Sequence, residues 1–103
     1  MSAARQIPIE LDHEAIAQFC QTHHIAKLSL FGSVLRDDFT DESDVDMLVE
    51  FEKGHVPGYF GLVGMEIELT DQLGRKVDLR RHQELSPYIA EDVLKTALQI
   101  YVS

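Results

Sequence analysis

Basic residues are scarce in this sequence: nine Lys and Arg stand against eighteen Asp and Glu, a formal charge of -9. Neutralising nucleic-acid phosphates calls for a concentrated basic surface, so direct DNA or RNA binding is not expected. A basic partner or bound cations suit the chain better. Cysteine is scarcer still. Cys20 stands alone, which excludes an internal disulfide, and in Ala17-Gln18-Phe19-Cys20 it reads as a small buried hydrophobe rather than a nucleophile. Also lacking is any apolar run long enough to span a bilayer, and residues 1–14 carry acids without a signal-like core, so a cytoplasmic protein with no membrane association is expected.

What is there looks globular. Hydrophobic residues make up 45% and charged residues 26%, far from the composition of disordered chains. A length of 103 residues allows one modest core, hence one domain over 1–103. Asp12 precedes Ala15, Ile16, Phe19, Cys20 and His23 at helical spacing, with Asp12 near the N-cap. A strand through Leu28, Leu30 and Phe31 stops at Gly32-Ser33. After a short polar connection with a helical turn at its start comes a second strand, Val45–Phe51. There Val45, Met47, Val49 and Phe51 face one way, and Asp44, Asp46, Leu48 and Glu50 the other.

Leu62, Met65, Ile67, Leu69 and Leu73 predict a helix over Tyr59–Leu73, closed by Gly74, and 76–79 a third short strand. Ser86-Pro87 opens a last helix, with Tyr88, Ile89, Val93, Ala97, Ile100 and Tyr101 as its buried face. The order α-β-β-α-β-α implies a small α/β or α+β fold, three strands covered by helices.

The chemistry lies in Phe31-Gly32-Ser33 and Asp44-Val45-Asp46. Residues two apart on a strand project from one face, roughly 6 to 7 Å apart at the backbone, so the two carboxylates can converge on one cation or bridge two. Like charges so close demand a counter-ion, and magnesium, a hard ion that prefers oxygen, fits carboxylates plus a substrate's phosphates. Asp78, one acid amid the apolar Val77 and Leu79, is a third ligand by type, completing a two-metal site for in-line displacement. Gly32 permits close backbone approach to a phosphate, and Ser33 offers a hydroxyl donor.

Gly32-Ser33, the ten-residue spacer, Ser43-Asp44-Val45-Asp46-Met47-Leu48-Val49 and the later Val77-Asp78-Leu79 together resemble the signature of the MNT-type minimal nucleotidyltransferases of the DNA polymerase β-like superfamily. Arg36 and Leu73-Gly74-Arg75-Lys76 extend the likeness, which runs from about Leu28 to Tyr101. The resemblance implies a mixed, palm-like sheet and a nucleotidyltransferase with ATP as donor and two Mg2+ ions. By the same resemblance Asp44 and Asp46 hold both metals, Asp78 binds the catalytic metal and helps activate the acceptor hydroxyl, and Gly32 and Ser33 hold the triphosphate tail. MNT proteins of this size resemble antitoxins that modify a tyrosine on a HEPN-domain ribonuclease toxin. This implies AMP transfer to a partner protein, all the more because no acceptor-holding domain is evident in the sequence. A binder that masks its toxin without catalysis, or an enzyme acting on a small-molecule hydroxyl, are the alternatives.

Each residue also has a plainer reading. Asp44 and Asp46 could belong to an acidic turn with Asp37, Asp38, Asp41 and Glu42, which are themselves read as surface. Asp78 could pair with Arg75, Arg80 or Arg81, and Arg36 could serve an ion pair as well as a phosphate. Arg80, Arg81 and His82 form the one basic cluster, either a contact for triphosphate or partner or a solvated strand end. The five histidines show no zinc-type spacing. Gly58, Gly61 and Gly64 lack the Gly-Lys-Ser/Thr ending of a phosphate loop.

Overall fold

A computed structural model describes residues 7–103. The Asp12 carboxylate accepts the Ala15 N–H at 3.1 Å and caps helix α1 (His13–Thr22), which turns Ile16, Phe19 and Cys20 inward. Burial pushes the Cys20 thiol up to about 12, so it behaves as the hydrophobe its neighbours suggest. Strand β1 (Ile25–Phe31) runs into a 3-10 turn at Gly32–Leu35, and β2 (Val45–Phe51) returns antiparallel beside it. Helix α2 (Tyr59–Leu73) ends at Gly74, whose left-handed φ of 72° ends the helix while its N–H still bonds the Thr70 carbonyl. Strand β3 (Val77–Arg81) follows, and then helix α3 (Pro87–Thr96), opened by the Ser86 hydroxyl accepting the Tyr88 N–H.

The chain then does what its helical periodicity does not predict. Ala97 turns extended, and Leu98–Val102 forms a strand, β4, antiparallel to β1. The sheet therefore has four strands rather than three, in the order β3-β2-β1-β4, with β2 and β3 parallel. Ile100 and Tyr101 pack from this strand, not from a helix face, while Tyr88 is 94% exposed and Ile89 half-exposed. Spacings of four, seven and eight from Val93 suit a helix. However, Leu98 and Ile100 alternate with Gln99 and suit a strand equally, and the open edge of β1 supplies backbone partners that settle the choice.

The two sheet faces are unequal. Ile25, Leu28, Leu30, Val45, Met47, Val49, Val77 and Leu79 meet α1 and α2 in the main core. The opposite face carries a small cluster of Phe31, Leu48 and Val93, through which α3 packs. The alternation expected in β2 is observed, and it leaves Asp46 on the α3 side.

A Cβ at Gly74 would meet nothing within 4 Å, so Gly74→Ala tests backbone conformation alone. It should destabilise the chain by about 1–2 kcal/mol, the cost of a left-handed non-glycine residue, with Gly74→Asn losing less. The expected readout is a lower urea midpoint at unchanged slope.

Candidate active site

The site grows from one register. Asp46 in β2 lies opposite Phe31 of β1 and, on its other side, opposite Asp78 of β3. Neighbouring strands run about 4.8 Å apart, so both carboxylates rise side by side from the α3 face. Asp44 precedes β2 by one residue, and its carboxylate is half-exposed, 3.9 Å from the Lys76 ammonium. The Val45 N–H bonds the Lys76 carbonyl at 2.9 Å, fixing this end of the parallel pair.

Negative charge accumulates here. Burial raises the Asp46 pKa first, then the Asp78 and Asp44 carboxylates add to it, and Arg80 and Arg36 only partly offset them. Asp78 accepts from Arg80 at 3.1 Å, so the ion pair of the plainer reading does form, although it leaves the cluster with a surplus of acid. Arg36 turns to Asp38 at 3.2 Å, and Arg75 to Asp41 at 3.3 Å. Gly32 and Ser33 open the turn directly after Phe31. Gly32 has φ +80°, and a Cβ there would come within 2.5 Å of Asp46 Oδ2, so the carboxylate occupies space that only glycine leaves. Asp46 and Asp78 are thus brought together, with Gly32 against Asp46 and Ser33 next in the chain, while Asp44 stands one residue before β2 and the three carboxylates are not gathered to the spacing of one shared ion. Beside them lies a cleft of about 240 Å³ walled by Phe31, Asp46, Asp78, Arg80, Ser86 and Ile89.

A further acid reaches the site from α2, one that sequence spacing does not single out. Glu66 of α2 accepts the Leu79 N–H at 2.7 Å and lies beside Asp78. Burial raises its pKa most, the Leu79 N–H lowers it, and the Asp78 carboxylate raises it further. The signal was present: Glu66 is a charge set next to Met65 in the inward stripe of α2, with Leu62, Leu69 and Leu73. The donor set, oxygen only and short of compensating charge, suits hard divalent cations such as magnesium.

The sequence model of the family described as "Polymerase beta, Nucleotidyltransferase" matches residues 14–103. Among similar proteins, one provisionally named protein adenylyltransferase, from Methanocaldococcus jannaschii, is 32% identical over 78 residues, 76% of this chain and 82% of that protein. Protein adenylyltransferase MntA of Thermococcus cleftensis is 33% identical over 76 residues, 74% of this chain and 75% of that protein. A crystal structure of a toxin–antitoxin with AMP-PNP aligns with a TM-score of 0.72 at 19% identity, over 90% of this chain and 75% of that one, a likeness of fold.

Repulsion at Asp46 has a measurable sign. A carboxyl whose folded pKa is raised stabilises the fold below its unfolded pKa, and that stability is lost as pH rises through the folded value. Asp46→Asn should remove this loss, so in EDTA near neutral pH the variant should unfold at higher urea than the parent, and the difference should vanish at acid pH. Gly32→Ala should cost more than the ~1–2 kcal/mol of its left-handed backbone, because the new methyl must also displace Asp46.

Proposed function

The chain belongs to the polymerase β nucleotidyltransferase family, and on that premise we propose that it transfers AMP from ATP to a hydroxyl of a separate protein, acting as the antitoxin of a toxin–antitoxin pair. The observation that carries the reading is the register that sets Asp46 beside Asp78, with Gly32 closed against Asp46. Asp44 and Asp46 would hold two magnesium ions, with Asp78 as a further ligand, and magnesium would supply positive charge against the attacking oxygen and the departing pyrophosphate.

The chain's own groups do the rest. Gly32 lets backbone approach the triphosphate tail, and the Ser33 hydroxyl donates to its oxygens. Arg80 donates to Asp78 at 3.1 Å and so orients the carboxylate that would receive the acceptor proton. The acceptor oxygen bonds the α-phosphorus as the bond to the bridging oxygen breaks, and pyrophosphate leaves with the electron pair. Acceptor positioning comes from docking: Ile89 lines the cleft, and the neighbouring Tyr88 is almost fully exposed on the first turn of α3, an apolar rim that a protein can cover.

The partner in this reading is a HEPN-domain ribonuclease toxin, with a tyrosine hydroxyl as acceptor. A ribonuclease must attract phosphate, and its basic surface complements a chain of charge -9. An added AMP places a negative phosphodiester and a base where RNA must bind, so inactivation outlasts dissociation. The setting is the cytoplasm, where ATP and magnesium are at hand, and no described helix is long and apolar enough to cross a membrane.

Incubating the chain with ATP, magnesium and a HEPN-domain toxin from an adjacent reading frame, where one is encoded, should add AMP to one tyrosine by mass spectrometry. Asp44→Asn/Asp46→Asn should slow this at least about 100-fold, the scale of losing one preorganised contact to a charged transition state. An unmodified toxin that both forms inhibit equally would replace catalysis with masking, and labelling of a small-molecule hydroxyl in its place would change the acceptor.

A further inference from the structure

At the other end of the sheet the fold builds a second set of metal-ligand side chains. β1 and β2 pair from Phe31↔Asp46 at the aspartates to Ile25↔Phe51, roughly 20 Å away at strand rise. Just beyond that far end, His24 leads into β1 and Glu52 leaves β2. The Glu52 N–H bonds the His24 carbonyl at 2.8 Å, and the His55 N–H bonds the Glu52 carbonyl at 3.0 Å through a turn holding Gly54 at φ +83°. Three side chains separated in sequence are thereby gathered. One ligand atom from each of His24, Glu52 and His55 lies within 4.8 Å of the others.

We propose that His24, Glu52 and His55 form a binding site for a zinc-class divalent ion, separate from the aspartates and clamping the start of β1 to the exit of β2. Two imidazoles and a carboxylate are borderline ligands that favour zinc over magnesium, and three protein ligands leave a fourth position for water. Two donors about 2.1 Å from a tetrahedral ion stand roughly 3.4 Å apart, and His24 Nδ1 and Glu52 Oε1 are already 3.6 Å apart. The His24 and His55 rings stack with centroids 3.9 Å apart and planes 18° from parallel, so their in-plane lone pairs do not yet converge. The site therefore requires the exposed His55 ring to rotate about its side-chain bonds so that a nitrogen faces the ion. His24 holds φ +57°, the one left-handed non-glycine residue among the described residues, a conformation that costs about 1–2 kcal/mol and that fixes the ring's exit from the chain. The chain's net charge of -9 favours cations in general.

The probe is Zn2+ alone, titrated by calorimetry into the Asp44→Asn/Asp46→Asn chain in excess magnesium, so that the aspartates take up no zinc. One equivalent should bind, with the His24 and His55 ring nitrogens shifting by NMR and the thermal midpoint rising. His55→Ala and Glu52→Gln alter exposed side chains and leave the His24 backbone undisturbed, and each should weaken zinc at least about 100-fold. Losing only a hydrogen-bond partner of a ligand costs ~10–100-fold, so loss of a ligand should reach or exceed that range. No binding, an affinity untouched by either substitution, or ring shifts confined to His13, His23 or His82 would overturn the site.

Discussion

The parallel pairing of β2 with β3 is the constraint on which the rest depends. Its register sets Val45 against Val77, Asp46 against Asp78 and Met47 against Leu79, so apolar and acidic positions sort together onto opposite faces. A slip of one residue would carry Asp78 into the main core and expose Val77 and Leu79. The fully buried Val45 and Met47, with Val77 and Leu79 nearly so, therefore hold the carboxylates in place through a hydrophobic penalty, not through any contact of their own.

β3 is an edge strand, and α2 manages that edge. Thr70 Oγ1 accepts the Val77 N–H at 3.0 Å and Glu66 accepts the Leu79 N–H at 2.7 Å. Residues four apart on a helix advance about 6 Å, close to the two-residue repeat of a strand, so one helix face serves alternate amides of the edge. Glu66 reaches the strand at the residue after Asp78. An interaction that covers an edge thus also fixes the strand that carries a site carboxylate.

Charge is the opposing force. Asp46 and Asp78 stand together on the α3 face with the Asp44 charge acting on Asp46, and Arg80 and Arg36 offset this only in part. Asp46 keeps a raised pKa even beside arginines, and the glycine pressed against it shows how closely the backbone has moved in. Stability is forgone locally, and the remaining apolar face supports it.

Much was legible in the order of residues. The N-caps Asp12 and Ser86, the Gly74 stop, the alternation in β2 and the spacing of Gly32-Ser33, Asp44, Asp46 and Asp78 rest on local chemistry, which a sequence displays directly. Long-range pairing is not displayed there. Leu98–Val102 carries a pattern that suits helix and strand alike, and only the unpaired edge of β1 made it a strand. Glu66 looked like an ordinary helix acid until β3 presented an N–H to it. His24, Glu52 and His55 share no spacing, because their meeting depends on where two strands end and one turn closes. Residue type and local periodicity determined which groups were available. The strand register decided which of them meet, because backbone hydrogen bonds between segments distant in sequence can be satisfied only once the sheet has formed.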